Sequence, residues 1–475
     1  MKLQQMNNNP TYQQSMCASC ATSLESNTTT TRKQDDNETK TIADDTARRV
    51  PQLRFPEFQN AGEWESASFT DLFSLLPNNT LSRAELSTDG EGIYNIHYGD
   101  ILIKFPSYIN VQKTTLPCIK EATKISNISK ARLKDGDIVI ADTAEDETAG
   151  KCIEIGNVKN TAVVAGLHTI SCRPNKRFAP AYLGCYMNSH AFHSMLLPIM
   201  QGAKVTSISR TALKSVIIYY PSSIEEQQKI ADCLLTIDDH IVAITQKLEQ
   251  LKIQKKALLQ KLFPQRGKTT PELRFPEYKN KWQEYTLGGE EGLCEFRNGY
   301  TPSKANSAYW TNGIIPWFRM EDIREHGRIL SDAIQHITQE AVNGELFEAG
   351  SVIISTSATI GEHALLLADS LANQRFTNMK IRKSLKSGID AYFFYYYCYQ
   401  IAQWCKYNTN TGGFLSVNME GLKKYKLYIP KDINEQKKIV ECLMSVDSLI
   451  DDSERKLKQL LHHKQSLLQQ LFPKN

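Results

Sequence analysis

The sequence predicts two tandem α/β (α+β) domains joined by a long antiparallel α-helical coiled coil, the whole organised as a pseudo-twofold internal repeat. Three observations carry this. "PQLRFPEF" at 51–58 returns as "PELRFPEY" at 271–278, an offset of 220 residues. "PSSIEEQQKIADCLLTIDDHIVAITQKLEQLKIQKKALLQKLFPQ" at 221–265 returns at 430–474, an offset of 209, with 21 of 45 positions identical. Between these landmarks the chain is variable, and the first copy holds 11 more residues than the second. Repeats of this kind mark structural units.

The tail comes first in the chain. Residues 1–50 carry six basic and six acidic residues and no apolar periodicity, so they are expected to be polar and disordered. Residues 1–15 hold one Lys and no apolar core, so no signal peptide is expected. Cys17 and Cys20 have the CxxC spacing, but no second pair lies nearby, and an incidental pair is the better reading. "NPTY" at 9–12 resembles an adenine-holding loop of amino-methyltransferases but has Thr11 where that loop has a second Pro. The other cysteines are scattered, as in a reduced cytoplasmic protein. No apolar run approaches the ~20 residues of a membrane span.

The first domain is predicted over 51–222 and the second over 265–430. "GDIVIA" (136–141), "GSVIIS" (350–355), "KSVIIYYP" (214–221) and "KYKLYIP" (424–430) read as strands. "YLGCYMNSHAFHSML" (182–196) and "AYFFYYYCYQIAQWC" (391–405) read as apolar helices, with Tyr392, Phe393, Phe394 and Tyr396 as core.

The repeated segments, 223–264 and 431–475, are predicted helices. Ile230, Leu234, Ile237, Ile241, Ile244, Leu248, Leu251, Lys255, Leu258 and Leu262 alternate spacings of four and three. Ile439, Leu443, Val446, Ile450, Ser453, Leu457, Leu460, Lys464, Leu467 and Leu471 repeat the pattern. This is a coiled-coil seam, broken at Lys255 and Lys464 in register. Neither helix can bury its seam alone, so pairing is expected. Pro264 and Pro473 stop the two helices.

Charge is balanced over the whole chain at +4 but uneven along it. Residues 155–220 hold seven basic residues and no acid; residues 371–429 hold nine basic residues and two acids. A local basic stretch ahead of each helix suits a polyanion. Catalytic patterns are missing from the sequence: no P-loop, no G-x-G-x-x-G, no HExxH. Glu277-Tyr278-Lys279 has the form of a nuclease ExK, but its repeat partner, Glu57-Phe58-Gln59, lacks the lysine. No metal site is expected.

Taken together, "LRFPEF", "EEQQKIADCLLTIDDHI…LLQKLFP", "LRFPEY" and "NEQKKIVECLMSVDSLI…LLQQLFP" resemble the specificity subunits of type I restriction–modification systems over roughly residues 51–475. "GYTPSKANSAYWTNGIIPWFRMEDI" (299–323) is similar to the entry of a target-recognition domain of that family; "GIYNIHYGDI" (92–101) departs from it. The resemblance implies a non-catalytic chain whose target-recognition domains each read half of a bipartite double-stranded DNA site. It implies an antiparallel helix pair that sets the spacing, with Leu234, Ile241, Leu248, Leu258, Leu443, Ile450, Leu457 and Leu467 in its seam. Two modification subunits would carry S-adenosylmethionine and methylate adenine, and restriction subunits would use ATP and Mg. No cofactor is expected in this chain. DNA contacts are expected at Lys204, Thr206 and Arg210 in the first domain. In the second they are expected at Thr301, Ser303, Lys304, Arg319, Arg375 and Asn410. Three other readings remain open: a restriction enzyme with its own nuclease or methyltransferase, a coiled-coil scaffold or adaptor that reads no DNA, and a stand-alone DNA-binding regulator.

Overall fold

β-Branched runs opened by a glycine turn form the central strand of the larger sheet in both domains, and the register of those sheets repeats from one to the other. The structure, a computed structural model, describes residues 49–120, 128–202, 204–410 and 415–473. The polar tail, with Cys17, Cys20 and "NPTY", lies outside them apart from its last two residues. The chain divides into two compact units, Met1–Ala231 with Leu467–Asn475, and Asp232–Ser466.

In the first unit a five-stranded sheet runs in the order Phe73–Leu76, Thr169–Pro174, Ile138–Ala141, Cys152–Gly156, Tyr108–Asn110. In the second unit the order is Cys294–Asn298, Phe376–Ile381, Val352–Ser355, His363–Leu366, Ile329–Leu330. In both sheets only the last pair of strands is parallel. A smaller sheet accompanies each. Its parallel pair is Ile93–Ile96 with Ala162–Ala165 in the first unit, and Ile315–Phe318 with Leu371–Ala372 in the second. The central strands are buried on both faces, as Ile138, Val139, Ile140, Val352, Ile353 and Ile354 show. That is why they read as continuous apolar runs.

The two strands expected ahead of the long helices form at Ile217–Tyr220 and Lys426–Ile429. The helix expected over 391–405 spans Ala391–Tyr407, with Phe393, Phe394 and Tyr396 buried and Tyr392 half-buried. Its first-unit counterpart is corrected. Residues 182–196 form two helices, Tyr182–Met187 and His190–Leu196. Ser189 N-caps the second one, accepting from Phe192 N at 3.3 Å. The Asn188 amide grips the backbone of Cys152 through both its atoms, at 2.8 and 3.1 Å. Apolar spacing continues across the break, and it is these polar bonds that mark it.

The long helices span Ile224–Lys261 and Ile433–Gln470. All the seam residues named above are buried or half-buried, whereas Val242, Ile253 and Leu461, off the seam, are exposed. Within the second unit Leu251 packs with Val446 and Ile450, and Leu248 and Leu258 pack against that cluster. Ion pairs join Lys464 to Asp238 at 2.5 Å, Lys252 to Glu454 at 2.8 Å and Lys255 to Asp447 at 2.5 Å. As residue numbers rise along one helix, those of their partners fall along the other, so the helices run antiparallel through this unit. The two lysines that interrupt the seam each pair with an aspartate of the other helix. Among the described residues no helix is long and apolar enough to cross a membrane. The nine described cysteines form no disulfide.

Candidate nucleic-acid interface

The landmark residues of the repeat are fasteners. Arg54 of "LRFPE" donates from Nε and Nη2 to the two carboxylate oxygens of Glu226, each at 2.7 Å, and Trp64 Nε1 adds a third bond at 3.3 Å. Arg274, Trp282 and Glu435 repeat this in the second unit at 2.7, 2.9 and 3.0 Å. Gln227 donates to Pro221 O and accepts from Ala179 N; Gln436 donates to Pro430 O and accepts from Asp390 N. The "LFP" ends complete the pattern. Phe472 stands edge-on to Trp64 and Tyr186, and Phe263 packs on Phe393 and Tyr397. Each domain thus holds the start of one long helix and the end of the other. Glu277, the acid of the ExK candidate, pairs with Lys438, which holds its carboxyl below the usual range; Glu57 pairs with Lys229 in the same way. The ExK pattern is accounted for as a fastener as well.

The two basic stretches are partly neutralised by ion pairs. Arg173 is neutralised by Asp137 at 2.7 Å and Lys176 by Glu65 at 3.3 Å. Arg382 meets Glu295, Lys426 meets Glu284, and Lys380 and Lys386 share Glu348. Linear charge counting missed this because the acids lie outside the two stretches in the sequence.

What remains is an edge at equivalent places in the two domains. In the second, Thr301 Oγ1 donates to Gln374 Oε1 at 2.5 Å, beside Arg375. Thr356 N donates to Arg375 O at 3.0 Å, and Val417 N to Thr356 O at 2.9 Å. Ser357 bridges to Ser416, which pairs with Asn410. Asn373 N donates to Phe318 O at 3.0 Å, next to Arg319. Thr301, Arg319, Arg375 and Asn410 are thereby brought to one edge. Ser303 and Lys304 are exposed on the adjoining loop, where Ser303 O accepts from Trp310 Nε1. The Arg319 guanidinium lies 5.8 Å from the centre of the Trp317 ring, which also meets Trp310 edge-on at 5.0 Å. Beside this edge an open groove of about 960 Å³ is lined by Arg324, Arg328, Thr359, Lys406 and Thr409.

In the first domain Thr206 pairs with Ala144, and Ile208 N donates to Asp142 O at 2.8 Å. Arg210 Nη2 donates to Asn78 Oδ1 at 2.8 Å, and Lys204 is exposed. Sequence reasoning missed His97, Tyr98, Asp142 and His168, which hydrogen bonds bring near Thr206 and Arg210. The Tyr98 ring stands 4.7 Å from His97 and 5.2 Å from His168, and His168 Nδ1 is 3.6 Å from Asp142 Oδ1. His97 Nδ1 accepts from Gly99 N at 3.2 Å, which leaves Nε2 as the N–H donor. Burial, helped by the charge of Arg83, holds the His97 imidazole neutral below its ordinary titration range. A signal for it was present: the "DI" of "GIYNIHYGDI" aligns with that of "GIIPWFRMEDI" and sets His97 against Arg319.

A protein with two similar α/β domains, each bearing a polar edge and each fastened to both long helices, is a duplicated binding module. The model of the type I restriction modification DNA specificity domain matches residues 62–253 and 279–463, so the chain belongs to that family and its two domains are DNA specificity domains. It is 51% identical over 148 residues to the EcoprrI type I specificity subunit of Escherichia coli, an alignment covering 31% of this chain and 37% of that subunit. It is 24% identical over 416 residues to a Methanocaldococcus jannaschii chain assigned as the MjaX specificity subunit, covering 86% of this chain and 93% of that one. The crystal structure of the type I restriction–modification S subunit from M. genitalium shares the fold, with a TM-score of 0.54, 14% identity, and coverage of 90% of this chain and all of that one. Among the described residues no cluster of three or more His, Cys, Asp or Glu could hold a metal ion.

Proposed function

We propose that this chain chooses the DNA sequence for a type I restriction–modification complex and performs no chemistry itself. Each domain reads one half of a bipartite double-stranded site. The long helices act as an antiparallel coiled-coil ruler between the halves, related by a pseudo-twofold. Two modification subunits carry S-adenosylmethionine, restriction subunits use ATP and Mg, and the chain needs no cofactor of its own. The complex works in the cytoplasm. The observation that carries this reading is the family match over both domains, each with its own polar edge. The ruler rests on 38-residue helices, about 57 Å of continuous helix each. A scaffold that reads no DNA would have no use for Arg319 and Arg375 clustered on one edge.

Exchanging residues 51–220 for the corresponding domain of another family member tests the proposal. Sequencing of methylated genomic DNA should show one half of the motif changed and the other kept. A change in both halves, or in neither, would sink independent reading. A gel shift with duplex DNA, run with and without a modification subunit, separates the scaffold reading, which predicts no shift in either lane.

A further inference from the structure

The two polar edges share one set of backbone hydrogen bonds. His97 follows strand Ile93–Ile96 at the N-cap position of the next helix and accepts from Gly99 N there; Arg319 follows strand Ile315–Phe318 at the same position, where its backbone N donates to Asp322 Oδ2 instead. The third residue of each helix is a buried aspartate, Asp100 or Asp322. His168 and Arg375 each immediately precede the long strand of the larger sheet. Asp142 N donates to His168 O at 3.1 Å, and Thr356 N donates to Arg375 O at 3.0 Å. Gly166 N donates to Ile96 O at 2.8 Å, and Asn373 N donates to Phe318 O at 3.0 Å. Within a backbone this alike, two histidines stand where the other domain has two arginines.

We infer that these four side chains are specificity-determining contacts: His97 and His168 for the first half-site, Arg319 and Arg375 for the second. This rests on the proposed function. Arg375 is exposed, and its guanidinium has no hydrogen bond or ion pair among the described residues. The Arg319 guanidinium lies 5.8 Å from the Trp317 ring centre, and its Nε is buried with no hydrogen-bond partner among the described residues, so part of its donor fork is uncommitted. A guanidinium fork matches the O6 and N7 acceptors of guanine in the major groove. The His97 ring is fixed by its own cap bond, with Nε2 as a single donor. His168 is half-exposed beside the Asp142 carboxylate, an acceptor suited to the exocyclic amine of cytosine or adenine. The second half-site should therefore be read by bidentate donors at guanine. The first should be read by a single imidazole donor next to a carboxylate acceptor.

The test uses the full chain with its modification subunits, and the readout is the methylated motif by genomic sequencing. Arg375→Ala and Arg319→Lys should relax positions in the second half-site only. His168→Ala should relax positions in the first only, and so should His97→Asn, which keeps a capping side chain. The loss of discrimination expected at each relaxed position is between about fivefold and about one-hundred-fold. A residue with a merely structural role would lower methylation at an unchanged motif, and that result would overturn the inference. If the unaltered complex selected no motif at all, the proposed function would fail instead.

Discussion

The fasteners of the two repeats match group for group, while the polar edges share only their backbone. Arg54, Trp64 and Glu226 do what Arg274, Trp282 and Glu435 do, with bond lengths within about 0.3 Å. At the edges, His97 corresponds to Arg319, His168 to Arg375 and Asp142 to Thr356 in the repeat. The difference shows which parts of a duplicated module are free to vary. A fastener is buried, so every polar atom in it needs its partner. An edge residue answers to a ligand, so its side chain can change while the strand ends that present it stay fixed.

The fasteners should be the most damaging place to break this likeness. The side chains of Glu226 and Glu435 are 1% and 2% exposed, each under a bidentate arginine. Removing one would strand a buried guanidinium, at about 3–5 kcal/mol. Glu226→Ala should loosen the first unit and Glu435→Ala the second, by similar amounts. Hydrogen exchange along a urea titration would show it. Loss of protection in the wrong unit would mean that the two clamps are not independent.

Acid and base should then tell the domains apart. In the second, His363 is buried against the rings of Tyr395 and Tyr399, and burial drives its pKa down to about 3. An unfolded chain binds that proton near pH 6.5 and the folded one does not, so stability falls as pH drops below about 6.5, by about 1.4 kcal/mol per unit. Between pH 6 and pH 4 that amounts to about 2–3 kcal/mol. The equivalent place in the first domain is Cys152, set by the same strand pairing, and carries no such cost. There Glu154 is the buried group. Burial raises it to about 7, against the pull of the N–H groups of Gly184 and Ala181. A raised carboxyl stabilises below its unfolded value, and that stability is lost as pH climbs toward 7. Opposite slopes are expected for the two units, flattened by His363→Leu in one and by Glu154→Gln in the other. Equal slopes in the two units would count against this assignment of the buried groups.

How far these features were legible in the sequence follows from the same division. The seam, the ends of the long helices and the clamp motifs could be read because the chain writes them twice, and coincidence of two copies filters noise. Lys255 and Lys464 looked like flaws in an apolar stripe until their partners, Asp447 and Asp238, came from the opposite helix. The edges were legible only in part. Arg319 and Arg375 drew notice as basic loop residues, but His97 and His168 sit among dissimilar neighbours and need the paired backbone bonds to be matched with them. The break at Asn188 and Ser189 was hidden because hydrophobic spacing records which face is buried and says nothing of a side chain that bonds elsewhere.

The smallest expected effect lies in the two seam ion pairs. Lys255 with Asp447 and Lys464 with Asp238 are repeat-related, and all four side chains are between 13% and 25% exposed. Partly exposed pairs of this kind couple by about 0.5–1 kcal/mol, and double-mutant cycles on the two should agree within that range. One asymmetry should show. Asp447 also accepts from Tyr396 Oη at 2.7 Å, whereas the second oxygen of Asp238 is buried with no partner among the described residues. A hydrogen bond to a charged group contributes about 1.5–3 kcal/mol, less where water still reaches it. Asp447→Ala should therefore cost about 1 kcal/mol more than Asp238→Ala, and Tyr396→Phe should remove most of that difference when melting is compared across the three variants. If Tyr396→Phe left the gap intact, the extra stability of the Lys255 pair would have to come from elsewhere, the ring of Tyr399 5.1 Å from Lys255 Nζ being the next place to look.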